Sequence, residues 1–132
     1  MLEVFVYGTL KPGGYYHQQY CAPYLTEAIP ALVKGQLYHL PQAGYPGMTL
    51  GDDWVQGYLL RFVERQVLAG LDALEDYQPG RPAAMNEYVR SQIQVFDSQQ
   101  QPLAWAWAYF MSAERVRQHQ GRYLADGHWP LP

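Results

Sequence analysis

The sequence has little of several features that mark particular classes of protein. It contains one cysteine, Cys21, so no disulfide can form within the chain. Nine Lys and Arg against twelve Asp and Glu give a net charge of -3, which leaves no basic excess for nucleic acid or for an anionic membrane. No apolar run is long enough to span a bilayer, and the first residues, MLEVFVYGTL, lack the basic start of a signal peptide. We therefore expect a soluble protein of the reducing cytoplasm that binds neither nucleic acid nor membrane.

What the sequence does contain is enough apolar and aromatic material for a core. The 132 residues predict one domain, 1–132, because a chain of this length buries a core without disulfide or metal support. Hydrophobic residues make up 48%, which excludes a disordered chain. Twelve of the aromatic residues are Tyr, a side chain that suits pockets because an apolar ring carries a polar tip.

Residue periodicity predicts an α+β fold, a small mixed β-barrel of five to six strands with flanking helices. The small side chains of Ala104, Ala106 and Ala108 alternate with aromatic residues taken as core, a pattern typical of a strongly curved sheet. Gly57 within a strand predicts a bulge or a close backbone approach. The predicted strands are 2–7, 31–40, 55–62, 88–96 and 103–109; the predicted helices are 17–25, 63–76 and one from 112; and 42–53, rich in Gly and Pro, is a predicted loop.

The first candidate site is the segment Tyr7-Gly8-Thr9-Leu10, where the first strand ends. Glycine permits a tight turn that directs several backbone N–H groups into one concavity, and such a concavity binds a carboxylate. The spacing from Gly8 to Gly13 matches a phosphate-binding loop, but Gly14 stands where that motif requires lysine, so nucleotide binding is rejected. An ordinary turn between strand and loop remains the alternative.

The second candidate is Glu75. On a helical wheel counted from Val63, Glu75 falls at about 120°, within the apolar stripe, whereas Asp72 falls at about 180°, on its margin. Burial favours the neutral form of a carboxyl group and raises its pKa, which is what a general acid/base near neutral pH needs. The alternatives are a side chain that bends out to water or one that pairs with Arg90.

The remaining reactive residue types predict no further chemistry. No two of the four histidines have the short spacing of a metal site, so no metal is predicted. Cys21 has no base near it in sequence and is interpreted as a buried, inert thiol.

Three segments together resemble the gamma-glutamylcyclotransferase-like family, and most closely its gamma-glutamylamine cyclotransferase and avirulence-induced-gene-like branch. They are VFVYGTLKPGG near the start, GLDALEDY in the middle and EYVRSQIQVF after it. The resemblance runs from about Leu2 to Tyr109 in a consistent order. The end of the chain departs from it, because Asp126-Gly127-His128-Trp129 stands where relatives often carry a Ser-Gly-Asp-Trp-like tail.

The resemblance implies an enzyme that releases 5-oxoproline from a small gamma-glutamyl substrate, with no cofactor. It implies that Glu75 is the catalytic acid/base and that the Tyr7–Leu10 turn holds the glutamyl group. The predicted substrate-binding residues are Tyr7, Gly8, Thr9, Leu10, Tyr88 and Tyr109. Two alternatives stay open: a non-catalytic module that binds a small carboxylate in the same pocket, and a structural domain whose pocket is filled by Tyr and Trp side chains. The sequence specifies no oligomeric state.

Overall fold

The computed structural model describes residues 1–131 and contains six strands and three short helices. The strands are β1 (Leu2–Val6), β2 (Leu25–Leu40), β3 (Tyr45–Phe62), β4 (Val89–Phe96), β5 (Pro102–Phe110) and β6 (Arg122–Tyr123). The helices are α1 (His17–Tyr20), α2 (Val67–Leu74) and α3 (Ala113–Gln118), with 3-10 turns at Ala22–Tyr24 and Ala83–Met85. Among the described residues, no helix is both long and apolar enough to cross a membrane.

The strands form one mixed sheet in the order β3-β1-β5-β4-β2-β6. Because β3 also pairs with β2, the first five of these strands close into a ring. Only the β1–β5 contact is parallel; the other pairs are antiparallel. The predicted α+β class and strand number are therefore confirmed.

The ring encloses one of two core clusters. Phe5, Val33, Leu59, Val95 and Ala106 each come from a different strand of the ring and are almost completely buried together. The prediction of small residues on the inner face of β5 is confirmed, since Ala106 and Ala108 are buried there. Trp105, which was expected in the core, is 64% exposed on the outer face.

The second core cluster packs helix α2 against the other face of β1. Val67 and Leu71 of the helix lie with Leu2, Val4 and Val6 of the strand. From Val4 to Val6, β1 is therefore buried on both faces, which explains why consecutive residues there are apolar, whereas Glu3 is only partly buried.

The prediction of a loop over 42–53 is wrong. β3 begins at Tyr45 and continues the pairing with β2, so the connection between them is only four residues long. Gly44 adopts a positive φ of 78° in this turn, which suits glycine. Pro46 has no N–H, yet it stands opposite His39 near the end of the hairpin, where a missing donor is tolerated.

Two further expectations concern β3 and α2. The close approach at Gly57 is confirmed, because a Cβ there would lie 2.1 Å from the backbone oxygen of Val6. Helix α2 begins four residues later than predicted, and Val63 and Glu64 are exposed in the connection before it. Burial of the helix rests on Val67 and Leu71 instead.

Candidate active site

A cavity of about 180 Å³ lies where the end of β1, the start of β3, the end of α2 and the segment before β4 meet. All the residues that the sequence predicted for the site line it: Tyr7, Gly8, Thr9, Leu10, Glu75, Tyr88 and Tyr109. The fold thus brings together residues that are up to 102 positions apart in sequence. The pocket is open space, so the structural-domain alternative, in which Tyr and Trp side chains fill it, does not fit.

Backbone donors line one wall of the cavity. After β1 ends, the chain turns so that Lys11 N donates to the Gly8 oxygen at 3.0 Å, and Tyr16 N donates to the Thr9 oxygen at 3.0 Å. Within residues 1–131, no group accepts a hydrogen bond from the backbone N–H of Gly8, Thr9 or Leu10. Three successive free N–H groups at a buried turn are suited to bind an anion.

Glycine is required at the first of these positions by a close contact. A Cβ on Gly8 would lie 2.7 Å from Cγ of Pro46. Any other residue would push the turn away from the start of β3. The contact therefore allows the turn to pack closely against the start of β3.

Glu75 stands at the C-terminal end of α2. The helix closes with Tyr77 N donating to the Asp72 oxygen at 2.9 Å and Asp76 N donating to the Ala73 oxygen at 3.3 Å. Asp76 has a positive φ of 54°, the left-handed conformation that ends a helix in this way. Glu75 is the C-cap residue, and it remains on the face of Leu71 and Val67 because it follows them by four and eight residues.

The Glu75 carboxyl group has no hydrogen bond or ion pair with any described residue. Burial raises its pKa from an ordinary 4.5 to about 8, and the negative charge of Glu87 adds to the effect. The expected alternative, a pair with Arg90, is not formed, because Arg90 binds Asp72 instead. Glu75 is thus a partly buried carboxyl group free to exchange a proton near neutral pH.

Three tyrosine hydroxyls of the cavity wall are held by the protein. Tyr7 donates to the Tyr109 backbone oxygen at 2.7 Å, Tyr88 to the Pro46 oxygen at 2.6 Å, and Tyr109 to the Asp72 carboxylate at 2.7 Å. Burial raises the pKa of all three, so they stay neutral. Because each hydroxyl proton is donated to the protein, the three side chains are held in fixed positions. The unpaired Glu75 carboxyl group and the free N–H groups of the turn line one cavity and complement a molecule that carries both an ammonium and a carboxylate.

Tyr45 and Glu87 are among the lining residues that the sequence did not predict for the site. Tyr45 lay within the mispredicted loop, and Glu87 directly precedes Tyr88, so strand alternation would have placed it on the opposite face. Glu87 lines the cavity beside Tyr88 because β4 begins only at Val89, and Tyr45 lines it as the first residue of β3. The Glu87 carboxylate accepts hydrogen bonds from Tyr45 at 3.0 Å and His119 at 3.0 Å and pairs with Arg115 at 3.3 Å. No local signal marks this cluster in the sequence.

The remaining reactive groups are the metal-ligating side-chain types and the thiol of Cys21, which lies in the same core cluster as Leu71. No three His, Cys, Asp or Glu side chains among residues 1–131 are grouped so that they could hold a metal ion. Cys21 is completely buried, and burial raises the pKa of its thiol to about 12, which keeps it protonated.

The sequence profile of the family described as "Gamma-glutamyl cyclotransferase, AIG2-like" matches residues 4–131. No curated protein matches the chain in sequence. The profile includes every residue that lines the cavity.

Solved structures share the fold. YkqA from Bacillus subtilis is 21% identical with a TM-score of 0.68, and the match covers 97% of this chain but 39% of YkqA. The chain thus spans well under half the length of that relative. An AIG2-like protein from Mus musculus is 20% identical with a TM-score of 0.67, over 98% of this chain and 88% of the mouse protein. Protein ytfP from Escherichia coli is 28% identical with a TM-score of 0.59, over 97% and 96% of the two chains.

Proposed function

Because the chain belongs to the gamma-glutamyl cyclotransferase, AIG2-like family, we propose that it converts gamma-glutamyl compounds into 5-oxoproline and a free amine or amino acid. The observation that carries the proposal is one cavity that holds an unpaired carboxyl group, Glu75, together with three free backbone N–H groups of the Tyr7–Leu10 turn. The reaction is an intramolecular acyl transfer. It needs no cofactor, because the nucleophile and the electrophile belong to the same molecule.

The glutamyl group binds with its α-carboxylate at the turn. The free N–H groups of Gly8, Thr9 and Leu10 supply the donors. The α-ammonium then faces Glu75, the unpaired carboxyl group of the same cavity. This binding folds the glutamyl chain so that its amine approaches its own γ-carbonyl, which supplies most of what a tethered reaction requires.

Proton transfer follows from matched acidities. A free α-amino group has a pKa of about 8, and the Glu75 carboxyl group has a pKa of about 8. Transfer from the ammonium to Glu75 is therefore close to balanced, which is the favourable condition for acid/base catalysis. In the reactive complex, the Glu75 carboxyl group is protonated and the α-amino group is neutral.

The chemical step forms one bond and breaks another. The α-nitrogen attacks the γ-carbonyl carbon and closes a five-membered lactam, while the bond from that carbon to the leaving nitrogen breaks. Glu75 gives its proton to the leaving nitrogen, so that a neutral amine departs, and takes up the second proton that the α-nitrogen loses as it becomes the lactam N–H. Release of that proton to solvent restores the Glu75 carboxylate. A backbone N–H of the turn that reached the developing oxyanion would contribute about 3 kcal/mol to lowering the barrier.

We place the reaction in the cytoplasm, in keeping with the buried reduced thiol of Cys21. The ligand that this reaction implies is a small gamma-glutamyl molecule.

The test measures 5-oxoproline by chromatography after incubation with gamma-glutamyl amino acids, peptides and amines. Glu75→Gln preserves shape and removes the base, so we expect its kcat to fall at least about 100-fold. Glu64→Gln is the matched control, because Glu64 is exposed in the connection before the same helix. Equal rates for Glu75→Gln and the unchanged protein would show that Glu75 is misassigned. Binding of 5-oxoproline without turnover of any substrate would favour the non-catalytic binding module.

A further inference from the structure

Asp72 joins helix α2 to two strands of the sheet. It lies on α2 three residues before Glu75. Its Oδ1 accepts hydrogen bonds from Nε of Arg90 at 2.8 Å and from the hydroxyl of Tyr109 at 2.7 Å, and its Oδ2 accepts from Nη2 of Arg90 at 3.2 Å. Arg90 on β4 and Tyr109 on β5 are direct partners in the strand register. One carboxylate therefore connects the helix to a cross-strand pair.

The same arginine also contacts the chain beyond Glu75. The Arg90 guanidinium lies 5.3 Å from the ring centre of Tyr77, two residues after Glu75, and 4.2 Å from that of Trp107 on β5. Arg90 thus holds the segment on both sides of Glu75, by an ion pair before it and by a cation–π contact after it. The pair is largely shielded from water, since the side chains of Arg90 and Asp72 are 13% and 15% exposed.

Helix α2 is short, so a polar connection to the sheet adds to the apolar packing that holds it. It has eight residues, only two of which are fully buried, and the side chain of its N-cap residue, Gln66, makes no capping hydrogen bond. A helix of this length is not stable by itself. Packing of Val67 and Leu71, with the partly buried Leu68 and Leu74, holds it against the core. The two-pronged Arg–carboxylate contact adds a hydrogen-bonded link with a defined direction.

We propose that Asp72, held by Arg90 and Tyr109, is a positioning residue that fixes the Glu75 carboxyl group at the cavity wall. The inference rests on the proposed function for its effect on catalysis. It gives the Tyr109 hydroxyl a part in orienting the catalytic helix, in addition to the place of its ring in the cavity wall. It also explains why two motifs far apart in sequence, LDALE and EYVR, meet in the fold.

Electrostatics fits this role. The charge of Asp72 is balanced by Arg90, and burial and Glu87, but not Asp72, account for the raised pKa of Glu75. The other titratable groups at the cavity wall are Asp76, Glu87 and the tyrosines. Loss of the connection would let the end of α2 move and water reach Glu75, which lowers its pKa toward the ordinary range.

Tyr109→Phe is the decisive variant, because it removes one hydroxyl and keeps the ring. We expect kcat to fall about 10- to 100-fold, with KM changed less than about twofold, because a displaced base affects the chemical step. The second measurement is independent of activity: carbon-13 NMR of the Glu75 carboxyl group as a function of pH. We expect its titration midpoint to fall by at least about 1 pH unit in Tyr109→Phe.

Arg90→Lys is the second variant and decides the matter if Tyr109→Phe does not fold. It keeps the positive charge but loses the two-pronged contact, so we expect the same two changes. Glu3→Gln is the control, because it removes an Arg–carboxylate contact of 2.7 Å, with Arg61, that joins β1 to β3. We expect it to leave kcat and the Glu75 titration unchanged.

The outcomes separate this proposal from the function on which it rests. An unchanged Glu75 titration midpoint in a folded Tyr109→Phe or Arg90→Lys variant overturns the positioning role, whatever the activity. If the midpoint moves while the unchanged protein forms no 5-oxoproline from any substrate, the positioning role stands and the proposed function fails. The positioning role is also overturned if kcat falls only in proportion to a smaller fraction of folded protein while the Glu75 titration midpoint is unchanged.

Discussion

Replacement of Glu75 by glutamine should change how the stability of the protein depends on pH. The folded state raises the pKa of this carboxyl group from 4.5 to about 8. Between these values the folded protein holds a proton that the unfolded chain releases. The contribution of this group to the free energy of unfolding is therefore greatest below pH 4.5. It falls as the pH rises and levels off above about pH 8.

The size of the effect follows from the same interval. One proton bound only by the folded state changes the free energy of unfolding by about 1.4 kcal/mol per pH unit, so the whole interval corresponds to about 5 kcal/mol. Glu75 keeps some contact with solvent through the cavity, which reduces its cost of ionisation. We expect about 2–3 kcal/mol to be lost between pH 4 and pH 9 through this group.

The assay is urea unfolding followed by tryptophan fluorescence, at several pH values from 4 to 9. Glu75→Gln cannot titrate, so its free energy of unfolding should rise relative to the unchanged protein by about 2–3 kcal/mol across that range. Glu64→Gln should give a curve parallel to that of the unchanged protein, because Glu64 is exposed. If the free energies of unfolding of Glu75→Gln and the unchanged protein changed in parallel with pH, the reasoning would be refuted. Glu75 would then have the same pKa in the folded and unfolded states.

Three further predictions concern the cavity and the backbone around it. Glu87→Gln should lower the pH at which kcat/KM reaches half its maximum by up to about 1 pH unit, because it removes a charge that opposes ionisation of Glu75; an unmoved pH–rate profile would contradict this. Gly57→Ala should destabilise the fold by more than about 2 kcal/mol, because the added Cβ meets the backbone oxygen of β1, whereas Gly70→Ala in open space on α2 should stabilise it by about 0.5–1 kcal/mol. Urea unfolding measures both, and a stabilised Gly57→Ala would refute the close approach. Gly8→Ala should weaken binding of 5-oxoproline at least about tenfold, because it moves the free N–H groups; unchanged affinity in calorimetry would argue against the turn as the carboxylate site.

Much of the fold could be predicted because it depends on local patterns. The alternating residues before the glycine turn predicted strand β1, and the small side chains on one face of β5 predicted a strongly curved sheet. The inward direction of Glu75 was predicted although the start of α2 was not. The reason is that its spacing of four and eight residues from Leu71 and Val67 does not depend on where the helix begins.

Other features required the tertiary structure. The hairpin between β2 and β3 was mispredicted because glycine and proline indicate a loop locally, whereas the partner strand decides whether their backbone is paired. Tyr45 and Glu87 enter the cavity only because that hairpin and the start of β4 meet the end of α2.

The sequence alone determined which residues are candidates for the chemistry and which faces of their elements they occupy, since these depend on spacing along one element. Only the tertiary structure decided the partners. Arg90 binds Asp72 and leaves Glu75 unpaired because the register of β4 and β5 sets Arg90 beside Tyr109, facing the last turn of α2. That choice depends on distances between elements, and so does the burial that raises the pKa of Glu75.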